Sequence, residues 1–246
     1  MIRRLLPDAC VISGDEALED FYYVAPGRHV RADFVVSLDG AVEIGGRSMP
    51  LGAPADRAAF LAMRAVADAV LVGAGTARIE RYGRPAVAGD GQQRRRSRGQ
   101  QPVPPLAIVS RRGLLGSGDR VFSGGYRPIV ITTAAAIAVH PELVDLADVV
   151  ECGDVEVDLC KAIEHLAGMG LGRVLCEGGP SLLHSLLTDD LVDEMCVTFS
   201  PVIAGPQHLH LSGAIPLAEP SWFRLGALLE GDGLLMARYN RERATA

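Results

Sequence analysis

The chain has 246 residues, 48% hydrophobic and 22% charged, enough for one sizeable domain with a buried core. Its formal charge of −6 sets it apart from proteins that neutralise phosphate backbones or anionic membranes, and a small-molecule substrate is expected. Five cysteines without close pairing read as free thiols rather than a disulfide framework or a structural zinc site. No apolar run reaches the ~18 residues of a membrane span, and Arg3 and Arg4 lead into Pro7 and Asp8 rather than a signal peptide, so a cytoplasmic location is expected.

The acidic pattern of residues 14–21 predicts a short helix. Residues 29–38 are rich in β-branched types and run into Asp39-Gly40, a strand followed by a turn. Pro54 then opens a helix over 54–66 that carries Arg64 near its end. Residues 69–72 form a buried strand ending on Gly73-Ala74-Gly75-Thr76. From 83 to 105 hydrophobic periodicity vanishes around Arg94-Arg95-Arg96-Ser97-Arg98, which reads as a flexible, solvated loop without assigned function.

Short strands follow at 106–109, 128–132 and 148–151, and residues 158–169 show helical spacing in Leu159, Ala162, Ile163 and Leu166. A strand over 173–176, the turn Glu177-Gly178-Gly179-Pro180 and a helix over 180–187 arrive in direct succession. Residues 194–203 are a further strand, and Gly231-Asp232-Gly233 joins 222–229 to 234–239 as a hairpin. The order defines an α/β fold, a mostly parallel sheet flanked by helices and closed by a C-terminal antiparallel hairpin, in a single domain over 1–246.

The turn at 177–180 lets backbone approach a pyrophosphate, and the helix after it offers free N–H groups and the positive end of its dipole. The same glycines also suit a tight strand-to-helix turn with no ligand. Glu177 favours the ligand reading, because open α/β sheets place their crevice at the carboxyl ends of strands. The second turn ends in Thr76, whose hydroxyl could meet a phosphate, but Arg78 stands where a three-glycine Rossmann fingerprint needs glycine. Ser181 and Ser185 lack a nucleophile elbow, and His208 and His210 lack a third ligand, so neither serine hydrolysis nor a metal is assigned.

In order and spacing, Ser37-Leu38-Asp39-Gly40, Arg64-Ala65 with Asp68 to Thr76, Glu177-Gly178-Gly179-Pro180, Leu191-Val192-Asp193-Glu194 and Pro201-Val202-Ile203-Ala204-Gly205 resemble the pyrimidine reductase domain of riboflavin biosynthesis over about residues 30–240. The resemblance implies a dihydrofolate-reductase-like fold, NADPH and a homodimer. It places Val35, Pro50, Thr76, Glu80, Gly179, Pro180, Ser181, Leu182, Leu183, His184 and Ser185 at the cofactor, and Ser48, Arg64 and Glu177 at the substrate. Glu177 and Asp39 are the candidate catalytic acids. The zinc-deaminase signatures of bifunctional relatives are not found in this sequence. Two positions depart from the family pattern: Ala41 replaces a basic residue, and Ser48-Met49-Pro50-Leu51 replaces Ser-x-Trp-Ile. The implied reaction is reduction of a ring-opened ribosyl imine on a 5-amino-6-ribosylaminouracil phosphate. Dihydrofolate reduction and non-catalytic NADPH binding are the alternatives, and the substrate-side charges of Arg64 and Glu177 weigh against the latter.

Overall fold

The computed structural model describes residues 1–206, 208–211, 217 and 219–243. The chain begins with β1 (Ile2–Leu6), β2 (Cys10–Ile12) and α1 (Gly14–Tyr22). Next come β3 (His29–Ser37), α2 (Pro54–Val66), β4 (Ala69–Gly73), α3 (Ala74–Ile79) and α4 (Gly89–Ser97). Strands β5 (Leu106–Val109) and β6 (Ile129–Thr132) precede α5 (Ala134–Val139), α6 (Leu143–Leu146) and β7 (Asp148–Glu151). The chain then forms α7 (Leu159–Gly168), β8 (Arg173–Cys176), α8 (Pro180–Thr188), β9 (Glu194–Ser200), β10 (Phe223–Gly231) and β11 (Leu234–Arg241).

Among the described residues the eleven strands join one sheet in the order β2-β1-β10-β11-β9-β3-β8-β4-β5-β6-β7. From β9 to β7 the pairing is parallel, whereas β11, β10, β1 and β2 add in antiparallel fashion. The expected mostly parallel sheet with a closing hairpin is thus present. The hairpin turns where Asp232 and Gly233 both adopt positive φ (53° and 81°), the twist-compatible geometry for a two-residue connection. At its tip the Asp232 carboxylate accepts the N–H of Ala55 at 2.8 Å, satisfying an orphan donor at the start of α2.

Strand β3 shows how the layers form. Val30, Ala32, Phe34 and Val36 point into a core shared with α7 and α8, while the alternate positions Arg31, Asp33 and Val35 face the other side, where α1 and α2 lie. The polar members of that second face are matched locally: buried Arg31 pairs with Glu194 of the neighbouring β9. The segment read from sequence as a flexible solvated loop over 83–105 is corrected by α4. That helix has no apolar face and is held by charge instead. Arg95 is fully buried and donates to the carbonyls of Ala65 (3.1 Å) and Ala67 (2.5 Å) at the end of α2, and to Gln101 (2.7 Å). Arg94 and Arg98 both reach the buried carboxylate of Glu19 on α1.

Candidate active site

The carboxyl ends of β3, β8 and β4 lie side by side, so their outgoing turns form one rim with the ~4.8 Å spacing of neighbouring strands. Beta pairing continues into the rim: Glu177 N–H donates to Leu71 O (2.9 Å) and Gly73 N–H to Gly178 O (2.8 Å). Gly178 has φ +88°, and a Cβ there would stand 2.9 Å from the Phe34 ring. At Gly179 a Cβ would overlap the Thr76 hydroxyl, so the two glycine-bearing turns touch only because residue 179 has no side chain. Helix α8 starts from this contact with Pro180 in its first turn and no side-chain cap, leaving the N–H groups of Ser181 and Leu182 without intrahelical partners. A glycine cradle beside an uncapped helix start fits the pyrophosphate of a dinucleotide.

In front of the rim lies an open cleft of about 990 Å³. Of the residues assigned to the cofactor, Val35, Thr76, Glu80, Gly179 and Pro180 line it, as do all three assigned to the substrate, Ser48, Arg64 and Glu177. Pro50 does not; its neighbours Ser48 and Met49 form the wall instead. Ser181, Leu182, Leu183, His184 and Ser185 do not line it either. Leu182 and Leu183 point into the core, so only backbone could serve a ligand at Leu182, and Ser185 Oγ is engaged one turn back with Ser181 O. Glu80 acts on the loop before it, accepting Ser48 N–H at 2.8 Å and thereby fixing that wall.

Arg64 and Glu177 form one unit. Two parallel hydrogen bonds join them, Nε to Oε1 at 2.6 Å and Nη2 to Oε2 at 2.7 Å, and the Tyr82 hydroxyl donates to Oε2 at 2.7 Å. The guanidinium lies 4.2 Å from the Phe60 ring centroid and 5.7 Å from that of Tyr82. Burial works against the Arg64 charge, but Glu177 more than offsets it and raises the pKa further. Tyr82 is pushed well up by burial and then by the charge of Glu177, which keeps its hydroxyl a donor. Phe60 sits four residues before Arg64 on one helix face, a spacing visible in the sequence; Tyr82 carried no such signal.

Asp39 is not brought to the cleft. Its carboxylate accepts from Ser37 Oγ (2.5 Å) and from the N–H groups of Ala204 (3.0 Å) and Gly205 (2.7 Å), and these donors, Ser37 first, lower its pKa. It latches the Ser37-Leu38-Asp39-Gly40 turn to the Pro201–Gly205 segment, and a carboxylate held in this way is a poor acid. Ala41 is fully buried and bridged to His210, so position 41 offers no cation to the cleft. Three cleft carboxyls not picked out from sequence, Asp33 on β3, Glu43 after it and Asp56 on α2, do line it.

A sheet crevice at parallel strand ends, a glycine cradle and a facing ionic unit meet in one cleft, the arrangement of an enzyme active site in an open α/β sheet. The model of the RibD C-terminal domain family matches residues 28–218, and the chain belongs to that family. It is 26% identical over 179 residues to the 2,5-diamino-6-ribosylamino-4(3H)-pyrimidinone 5′-phosphate reductase of Archaeoglobus fulgidus, covering 72% of this chain and 82% of that one. The riboflavin biosynthesis protein RibD of Chlamydia pneumoniae is 30% identical over 185 residues, 73% of this chain but 47% of that longer protein. Among solved structures, a pyrimidine reductase-like protein from Corynebacterium diphtheriae superposes with a TM-score of 0.83 at 26% identity, covering 92% of this chain and 99% of the other. Among the described residues no helix is long and apolar enough to cross a membrane.

Proposed function

We propose that the protein is an NADPH-dependent reductase of a phosphorylated ribosylaminopyrimidine, converting the ring-opened ribosyl group to ribityl. The observation that carries this reading is the Arg64–Glu177–Tyr82 unit standing in the same cleft as the Gly179–Thr76 cradle. Glu177 keeps one acceptor site, on Oε1, for a ring N–H, and Arg64 with Tyr82 holds its carboxylate in place. The relatives support the substrate class, since those named as reductases act on a ribosylaminopyrimidinone 5′-phosphate. They give no support to dihydrofolate, and that alternative is not carried further.

Gly179, Thr76 and the start of α8 would hold the pyrophosphate, with Val35 beside the nicotinamide. When bound, NADPH supplies the hydride. The chain's own contribution is alignment and exclusion: Phe60 and Tyr82 flank the guanidinium, Met49 covers the wall, and Ser48, fixed by Glu80, offers a hydroxyl toward the substrate. The reading includes a homodimer in the cytoplasm, the first checked by light scattering at the mass of two chains. NADPH oxidation followed at 340 nm with the aminouracil phosphate and with the diaminopyrimidinone phosphate tests the function. Tight NADPH binding with oxidation by neither would overturn it.

A further inference from the structure

Buried carboxylates in this protein follow a rule. Glu19 meets Arg94 and Arg98, Asp68 meets Arg173, Glu177 meets Arg64 and Glu194 meets Arg31. Asp33 and Asp56 are only partly buried, at the cleft wall, and lack such a partner. Both line the cleft, and neither is among the ion pairs formed within 4.0 Å by the described residues. A carboxyl taken out of water without a cation favours its neutral form, and a second carboxyl nearby strengthens that preference.

The surroundings of Asp33 are set by four elements. From α2 it faces Asp56 and Arg64; from the turn after β8, Glu177; from its own strand, Arg31 two positions back on the same face; and Cys196 of β9 stands opposite it in register. The thiols of Cys176 and Cys196 and the Tyr22 hydroxyl on α1 are themselves pushed up by burial and stay neutral. The two nearby cations pair with other carboxylates, Arg31 with Glu194 and Arg64 with Glu177, and their fields oppose the rise at Asp33 without overcoming it. Burial, then Asp56 and Glu177, raise its carboxyl well above the usual range. Asp56, in the first turn of α2, is also raised by burial, with the Thr198 hydroxyl opposing.

We propose that Asp33 is the catalytic acid of the cleft, delivering a proton to the nitrogen of the substrate C=N bond, with Asp56 as the positioning residue that keeps it protonated. The assignment rests on the reductase reading above. Glu177 is doubly bonded to Arg64 and accepts from Tyr82, and Asp39 is latched outside the cleft, so neither holds a transferable proton there. In the step, the C=N π bond breaks as its carbon receives hydride from the reduced nicotinamide and its nitrogen receives the Asp33 proton. The substrate gains two electrons, the dinucleotide loses them, and the Asp33 carboxylate is reprotonated from solvent through the open cleft.

The test compares wild type, Asp33→Asn and Asp56→Asn. General acid catalysis typically supplies 10²–10⁴-fold, so Asp33→Asn should lower kcat by about 10²-fold or more with NADPH affinity unchanged, and should abolish the alkaline limb of the kcat profile. Asp56→Asn removes the like charge and should move that limb to lower pH, a shift that a merely structural role would not produce. Carboxyl ¹³C NMR of the unliganded wild type gives a readout without turnover: one cleft aspartate should titrate well above the ordinary range, and its signal should vanish in Asp33→Asn. An active wild type whose Asp33→Asn variant keeps its rate and alkaline limb would overturn the acid alone, as would an ordinary titration of Asp33. A wild type that reduces neither pyrimidine would overturn the function on which it rests.

Discussion

Replacing Glu177 with Gln keeps size and shape but removes the negative charge that Arg64 was buried to meet. The Glu177 side chain is 2% exposed and that of Arg64 14%, so solvent cannot take over the pairing. Removing one partner of a buried pair typically costs 3–5 kcal/mol because the other charge is stranded. The slight exposure of Arg64 places this site at the lower end, about 3 kcal/mol. For a chain of this length that lowers Tm by roughly 6–12 °C. Urea unfolding of wild type, Glu177→Gln, Arg64→Met and the double variant forms a thermodynamic cycle, and the double variant should be more stable than the sum of the single losses by at least about 1 kcal/mol. A Glu177→Gln variant within about 0.5 kcal/mol of wild type, or additive single losses, would show that the two side chains are not a coupled unit.

Gly179→Ala places a methyl group on the Thr76 hydroxyl and should weaken NADPH binding at least about tenfold while the fold is kept, as judged by fluorescence titration beside circular dichroism. Unchanged affinity would place the cofactor elsewhere. Arg95→Met removes charged donors from the carbonyls of Ala65 and Ala67 and should cost about 3 kcal/mol in urea unfolding, with faster amide exchange at the end of α2. Glu194 is opposed by burial but held down by Arg31, with a pKa of about 2. Between the ordinary glutamate range and pH 2 the unfolded chain binds this proton first, so stability falls as pH falls through that window, by up to about 3 kcal/mol, and Glu194→Gln should flatten the slope. Asp33 carries the opposite sign. Its folded form keeps the proton to higher pH than the unfolded chain, so stability falls as pH rises, and Asp33→Asn should be more stable than wild type at pH 8 but not at pH 4.

Local pattern made much of this protein legible from sequence. Period-two burial in β3, helical spacing in α2 and α7, and the Asp232-Gly233 turn of the hairpin each follow from near-neighbour chemistry, and the strand–turn–helix run through Glu177 and Gly179 located the rim. The family resemblance, not local pattern, placed Arg64 and Glu177 as substrate-side charges, and nothing local shows that they bind each other across 113 positions.

What only the tertiary structure decided involves charge brought together from distant elements. α4 has no apolar stripe to read, because its stability comes from Arg95 reaching back into α2 and from Arg94 and Arg98 meeting Glu19, more than 70 positions away. β1 and β2 are short and mostly solvent-facing, and they exist as strands because β10 offers an edge to pair with. Asp39 looked like a site carboxylate beside its turn glycine until the N–H groups of Ala204 and Gly205 claimed it. Asp33 and Asp56 lie 23 positions apart in sequence and share a cleft wall only once α2 packs over β3. Sequence carries hydrophobic period and turn chemistry because these act between near neighbours. The pairing of buried charges acts through space, and the fold alone determines which carboxyls find a cation and which are left to hold a proton.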